Sequence, residues 1–399
     1  MLNRYDEMQP LNPEKRIKRQ VVGRRQDFFA VTLPGYETPC VEELKNLSQT
    51  LEVTEVLNGG VAFTGRLTDL YLANLHVRTA VRILMRLAHF KATNFKQLEA
   101  RTRKIPWELF LPQGTLPALK VTARHSRLYH CRAVAEHMQE SIAARWSEFG
   151  ITPAPSGEQI LFVRLQDDEA TFSLDSSGRP LYRRGLKSHV AHAPLRETTA
   201  AAILSMAGYR PDMPLVDPMC GSGTFSLEAA LMAKQMAPGL LRDFAFMQWP
   251  AFRPRQWAHY LKKAGEKRLR LAAPSILASD SDKAAVTRLQ GCVNRNEIED
   301  AVTVSHQDFF GLRPDMITRG PGLIVLNPPY GRRLSKQRGL EKRYQDIAAK
   351  LKKDFKGWRT ALLVPNPGLA KRLGLDLKPM RLDHGGLKLT LLVGKIGAT

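Results

Sequence analysis

The segment Leu323-Ile324-Val325-Leu326 runs straight into Asn327-Pro328-Pro329-Tyr330-Gly331. Four apolar residues in succession, with no polar alternation, suit a strand covered on both faces, as in a parallel sheet with helices on either side. Two prolines then stop it. Each fixes φ and lacks an amide hydrogen, so neither a ladder nor a helix continues through them. Other short apolar runs, Leu215-Val216, Ile276-Leu277 and 361–364, are separated by helical stretches, and this alternation predicts an α/β fold with a parallel sheet over the C-terminal half.

One of these runs carries a second signal. Leu215-Val216 closes on Asp217, and Pro218-Met219-Cys220-Gly221-Ser222-Gly223-Thr224 leads into a helical stretch from Phe225 to Ala233. A strand ending in an acid, a glycine turn and then a helix is how a doubly wound sheet receives a nucleoside cofactor at its carboxyl edge. Gly221 and Gly223 would let the backbone approach the ligand where a Cβ would collide. A lone Gly-x-Gly is also compatible with a plain structural turn. No GxxxxGK[ST] occurs, which excludes a triphosphate-cradling P-loop. Two more acids fall at strand ends. Asp280, with Asp282 as its rival, would accept hydrogen bonds from ribose hydroxyls, and Asp308 would receive an adenine amino group.

The Pro-Pro corner suits one task. An exocyclic nucleobase amine is a poor nucleophile because its lone pair is delocalised into the ring. Accepting its hydrogens on the Asn327 side-chain oxygen and the Pro328 carbonyl would return that pair to nitrogen and aim it. Pro329 would stiffen the corner, and Tyr330 would offer a stacking face to an extruded base. With a sulfonium methyl in line, transfer is direct displacement driven by positioning, with no metal and no covalent intermediate. The chain has no HExxH motif and no paired-carboxylate site, and Cys220 lacks a nearby histidine to activate it.

Charge narrows the partner. Sixty Lys and Arg against 38 Asp and Glu leave a net +22, which points to a polyanion: nucleic acid first, an anionic membrane second. No apolar run approaches the roughly 18–20 residues of a spanning helix, and the first 25 residues hold no apolar signal core, so a soluble cytoplasmic protein is expected. Cys40, Cys131, Cys220 and Cys292 form no CxxC pair, which argues against a zinc ribbon or a disulfide framework.

The N-terminal part reads as α+β. Residues 1–26 form a basic tail, either a solvated terminus or an arm for nucleic acid. Strands are predicted over 28–32, 60–64, 81–87 and 119–123, helices over 39–47, 67–75 and 126–146, and a hairpin around Asp167-Asp168-Glu169. Arg124, Arg127, His130 and Arg132 crowd the start of the last helix, where they would either receive phosphate or form a solvated basic face. Arg183 and Arg184 in a basic segment at 181–187, and Arg332 beyond the Pro-Pro corner, are further candidates for RNA contact. An insertion at 238–275 interleaves Phe244, Phe246, Trp249, Phe252 and Trp257 with arginines and lysines. It would either grip a single-stranded RNA loop or pack its aromatics inward.

Asp217 to Thr224 together with Asn327 to Tyr330 resembles the class I S-adenosylmethionine-dependent methyltransferases that modify exocyclic amines. The segment Ala193-Pro194-Leu195-Arg196-Glu197-Thr198, preceded by 181–185, narrows the resemblance to the THUMP-domain RNA methyltransferases, and within them to the bacterial enzymes that form N2-methylguanosine in 23S ribosomal RNA. The resemblance covers residues 27–399. It implies a C-terminal Rossmann-like class I methyltransferase sheet over 179–399, a ferredoxin-like part over 27–58 and a THUMP RNA-binding domain over 59–178. It also implies that Asp217, Met219, Gly221, Gly223 and Thr224 bound the cofactor, that Asp280 and Asp308 hold its nucleoside, and that Glu197 lies by its methionine end. The implied substrate is a guanosine in ribosomal RNA. Alternatives are transfer RNA guanine, an adenine-N6 amine, or a non-catalytic RNA-binding assembly factor. Some members carry a second methyltransferase domain, and none is expected here.

Overall fold

The computed structural model of the 399-residue chain describes residues 13–187, 195–316, 318, 320–329, 337–384 and 387–397. It divides into two compact units. The described parts of Met1–Val31, Val41–Leu181 and Asp243–Tyr260 form the first, and those of Thr32–Cys40, Tyr182–Arg242 and Leu261–Thr399 the second.

The first unit is built on seven strands: β1 (Gln26–Val31), β2 (Glu52–Leu57), β3 (Gly60–Gly65), β4 (Arg82–Lys91), β5 (Thr115–Arg124), β6 (Ala154–Gln166) and β7 (Glu169–Asp175). They make one sheet in the order β2-β3-β1-β4-β7-β6-β5, antiparallel except for β5 beside β6. The β6–β7 hairpin turns on Asp167 and Asp168, both left-handed at φ 54° and 64°, the backbone that a two-residue turn between right-twisted strands demands. A helix over Cys131–Ser147 links β5 to β6 and buries Val134, Met138 and Ile142, the stripe predicted by their four-residue recurrence.

That helix begins five residues later than the sequence suggests, which corrects the reading of its amino end. Arg124 ends β5. Ser126 folds the intervening loop by donating from Oγ to the Arg124 carbonyl while accepting from Asp168 N. The aromatic insertion resolves inward. Phe244, Phe246, Trp249 and Trp257 are buried, Phe246 stacks on Tyr71 with centroids 4.7 Å apart, and Trp257 meets Tyr71 edge-on at 6.0 Å. Trp249 Nε1 donates to Gln159 Oε1 at 3.0 Å, so its polar edge is satisfied as well.

The second unit holds β8 (Leu215–Asp217), β9 (Ile276–Asp280), β10 (Val302–His306), β11 (Leu323–Leu326), β12 (Arg359–Val364), β13 (Lys378–His384) and β14 (Leu387–Lys395). Their order is β10-β9-β8-β11-β12-β14-β13. The first five are parallel, and β14 is antiparallel to both neighbours. All four residues of β11 are buried, as an unbroken apolar run requires. Leu323 and Val325 pack into a core with the Glu197–Met206 and Thr224–Ala233 helices, whereas Ile324 and Leu326 face Tyr344, Ile347 and Leu351 of the Gln337–Asp354 helix. The closing β13–β14 hairpin is not among the strands expected from the sequence, although β14 holds the apolar run Leu391-Leu392-Val393.

Candidate active site

β8 lies at the point where the strand order reverses, with β9 on one side and β11 on the other. A crevice opens at the carboxyl ends of such strands, and the side chains of Asp217 and Asn327 stand at two of those ends. Asp217 closes β8 and is buried. Its Oδ2 accepts from Ser226 Oγ at 2.7 Å and from Ser226 N at 3.3 Å, whereas its Oδ1, also buried, accepts no hydrogen bond among the described residues. Burial, reinforced by the charge of Asp280 and opposed by the Ser226 hydrogen bonds and by Lys187, pushes the carboxyl up to about 7.

The glycine turn follows. Gly221 and Gly223 have φ of 51° and 70°, a left-handed backbone that glycine adopts without strain. Their surroundings differ. A Cβ on Gly223 would lie 2.3 Å from Leu289 Cδ1, so its bareness serves helix packing, whereas a Cβ on Gly221 would meet open space. Of the two glycines, Gly221 alone has free space beside it among the described residues. Cys220 N donates to the Ser279 carbonyl at 3.0 Å, and Gly221 N to Asp280 Oδ2 at 2.8 Å, which binds the turn to the end of β9. Burial drives the Cys220 thiol well above its usual range, so it is no nucleophile. Met219 is half-buried against the core beside β11.

Asp280 and its rival hold different partners. Asp282 is the N-cap of the Lys283–Arg295 helix, accepting from Ala284 N at 2.8 Å. Asp280 stands at the strand end, taking Gly221 N on one oxygen and Asp282 N on the other, with lone pairs to spare. Asp308, two residues beyond β10, is exposed and accepts from Phe310 N at 2.8 Å.

Sequence reasoning missed Lys187. Its Nζ lies 3.1 Å from Glu197 Oε1 and donates to Thr224 Oγ1 at 2.8 Å, with Ser222 Oγ at 3.5 Å. In the sequence it is one more cation in a basic segment, and nothing in the spacing shows it folding back onto a turn 35 residues further along. The structure also corrects Arg184, expected to contact RNA. Its guanidinium is buried and donates to both oxygens of Glu228, at 3.0 and 3.4 Å, fastening the 182–187 segment to the helix after the glycine turn. A carboxylate distant in sequence neutralises it, and breaking such a pair would cost about 3–5 kcal/mol. Arg183, by contrast, is exposed.

On the acceptor side, Asn327 follows β11 directly. Its Oδ1 is buried and accepts no hydrogen bond among the described residues. Pro328 is buried and Pro329 half-buried. Tyr330 and Arg332 lie outside the described residues. Of the other basic candidates, Arg132 is exposed and pairs with Glu136 one helical turn on, and Arg127 is exposed near Asp168, at 3.7 Å. Arg124 is exposed at the end of β5, so the three fall on a strand end, a loop and the first turn of a helix.

A seven-stranded sheet of this order, with a glycine turn after β8 and acids closing β8 and β9, defines a Rossmann-like methyltransferase. The chain belongs to the RMKL-like methyltransferase family, whose domain model matches residues 184–384, and a model of the RlmL ferredoxin-like domain matches residues 27–84. It is 34% identical to a putative RNA methyltransferase of Synechocystis, over 92% of this chain and 95% of that protein. It is 36% identical to the ribosomal RNA large subunit methyltransferase K/L of Syntrophotalea carbinolica, over 92% of this chain and 53% of that one, so it spans about half the length of the K/L relative. A solved putative methyltransferase complexed with SAH superimposes with a TM-score of 0.82 at 27% identity, covering 94% of this chain and 99% of its own. S-adenosylmethionine is accordingly the cofactor, and the residues fit it: the space beside Gly221 admits a ligand, and the unpartnered Asp217 oxygen calls for a cationic or hydrogen-bearing group.

Proposed function

We propose that this chain methylates the exocyclic N2 amine of a guanosine in large-subunit ribosomal RNA. The observation that carries the reading is the buried Asn327 Oδ1, left without a partner among the described residues at the end of β11, adjacent to the strand that ends in Asp217. A buried acceptor left unsatisfied costs about 1–3 kcal/mol, and an amine donor is the group that would relieve it. Asn327 Oδ1 and the Pro328 carbonyl would take the two amine hydrogens, which localises the nitrogen lone pair and aims it. Tyr330 would stack on the base. Asp217 and Glu197 would face the amino-acid end of the cofactor, Asp280 its ribose and Asp308 its adenine. Bound S-adenosylmethionine supplies an electrophilic methyl carbon on a sulfonium, and this chain's residues supply orientation. The name of the K/L relatives supports ribosomal RNA as acceptor.

The first unit supports an RNA role as a THUMP-type binding domain. It contains a cavity of ≈ 480 Å³ lined by Lys91, Thr93, Gln97, Ala100, Arg101 and Lys104. Gln97 Oε1 is consumed by Thr93 N and Oγ1, so the amide has its NH2 left to offer. Neighbouring acids are taken, Glu99 by His137 and Glu169 by His89. A hollow whose polar side chains are donors fits backbone phosphates.

The test is incubation with labelled cofactor and unmodified ribosomal RNA, transfer RNA or duplex DNA, followed by mass spectrometry of the methylated nucleoside. N2-methylguanosine in ribosomal RNA is expected, and label confined to transfer RNA, adenine or DNA overturns the reading. Asn327→Ala should lower transfer about 100- to 1000-fold, the scale for losing one preorganised polar group aimed at a reacting centre, with affinity for S-adenosylhomocysteine held within about twofold. Equal loss of both would show that Asn327 serves the cofactor and not the acceptor.

A further inference from the structure

Lys187 is oddly placed for a cation. Thr224, to which it donates, is the first residue of the Thr224–Ala233 helix, and Glu197, which it faces, is the first residue of the Glu197–Met206 helix. Helix amino ends carry positive partial charge and free N–H groups, so a lysine there is repelled unless an anion is present. Neither helix has a side-chain cap: the preceding residues, Arg196 and Gly223, make no capping hydrogen bond. Glu197 supplies one negative charge against a full lysine charge and two helix ends, which leaves the cluster positive. The Lys187 ammonium also has capacity left. Of its three hydrogens, one goes to Glu197 and one to Thr224, and among the described residues the remaining direction finds only Ser222 Oγ at 3.5 Å, the limit of a hydrogen bond.

A second observation points to what fills this surplus. Asp217 is buried, its Oδ1 has no partner among the described residues, and Lys187 is close enough to act on its titration. A net-positive pair of helix ends with a spare ammonium hydrogen therefore lies beside a buried carboxylate with a spare acceptor. That juxtaposition is complementary to a zwitterion: a carboxylate for the first, an ammonium for the second. The α-amino acid end of the cofactor is such a group.

We propose that Lys187 binds the α-carboxylate of the cofactor's amino-acid end, with the Ser222 and Thr224 hydroxyls beside it, and that this contact makes the pocket select ligands carrying an intact amino acid. Glu197 holds the lysine in place rather than meeting the carboxylate itself.

The experiment compares two ligands of the whole chain by titration calorimetry: S-adenosylhomocysteine, which carries the amino acid end, and 5′-methylthioadenosine, which carries the same nucleoside and sulfur without it. Lys187→Met should weaken S-adenosylhomocysteine about 10- to 100-fold, the range for losing a charge-assisted hydrogen bond, and leave 5′-methylthioadenosine within about twofold. Lys187→Arg should recover part of the affinity, because it restores the positive charge. Retained 5′-methylthioadenosine binding also reports that the variant is folded. Equal weakening of both ligands, or of neither, overturns the proposal, since a lysine that merely braces the loop would not distinguish them. The measurement involves no RNA, so it stands or falls apart from the acceptor assignment above.

Discussion

Replacing Asp217 by Asn removes a group that the unliganded protein holds at a cost. Burial raises the carboxyl from 3.8 to about 7. For an acid raised in this way the fold favours the protonated form. The stability it contributes is intact below the unfolded value near 4, erodes as pH climbs towards 7, and is constant above that. A rise of about three pH units, at about 1.4 kcal/mol each, gives a penalty of roughly 4 kcal/mol above neutrality, an upper bound. Asn keeps the shape and can still accept from Ser226, but its amide hydrogens are left without a partner at about 1–3 kcal/mol. Cofactor-free Asp217→Asn should therefore gain about 1–3 kcal/mol over the parent at pH 8 and lose that advantage at pH 5. Thermal unfolding of both proteins between those pH values, without ligand, measures the difference. Affinity for S-adenosylhomocysteine should fall in the same variant, because a neutral amide no longer balances an ammonium. An unfolding difference independent of pH, or a variant less stable than the parent at pH 8, would refute the assignment of Asp217 as a buried, unsatisfied carboxylate.

The two glycines should part company. Gly223→Ala drives a Cβ into Leu289 at 2.3 Å on a left-handed backbone, and should destabilise the chain by about 2–3 kcal/mol in urea unfolding. Gly221→Ala meets nothing, so its stability loss should stay near 1 kcal/mol, while cofactor binding by calorimetry collapses. A silent Gly221 variant would mean that the ligand does not pass there. On the first unit, replacing Lys91, Arg101 and Lys104 together by Ala should flatten the dependence of log RNA affinity on log salt by up to about 2, roughly 0.7 for each phosphate no longer neutralised. An unchanged slope would remove that hollow from the RNA surface.

How far the sequence reaches depends on whether a residue's role is settled locally. The strand at 323–326 is legible because four adjacent apolar residues have nowhere to go but a sheet covered on both faces, and the glycine turn because Gly221 and Gly223 must be left-handed. Asp280 and Asp282 stand level in the sequence, since what distinguishes them, the capping of the next helix by Asp282, shows only in the fold. β2 is missed because an edge strand with mostly exposed residues lacks the apolar pattern that marks the others, and the Phe95–Lys104 helix because it buries only Leu98 and Thr102. The Cys131–Ser147 helix is predicted too long because Leu128, buried in the preceding loop, mimics an extension of its apolar stripe. Arg184 and Lys187 show the same limit more sharply. Both read as basic residues in one segment, and what they do is fixed by Glu228 and by Glu197 with Thr224, acids and a hydroxyl that only the fold brings near.

Unsatisfied polar atoms alone do not find the site. Thr102, Thr360 and Ser279 also have buried hydroxyls without partners among the described residues, and each is a single neutral group in a packed interior. Asp217 and Asn327 differ in where they stand: at the carboxyl ends of adjacent parallel strands, at the reversal of strand order, with Gly221 opening onto free space. A fold selected for stability alone would remove both penalties, since Asn at 217 and a smaller residue at 327 are sterically accessible changes. That the chain retains them, at several kcal/mol together on the scale used above, is accounted for if each is relieved on binding, the carboxylate by a cation and the amide oxygen by an amine. The asymmetry follows directly: substitutions that silence either atom should stabilise the empty protein or leave it unmoved, and should fail only when a ligand is asked to bind or react.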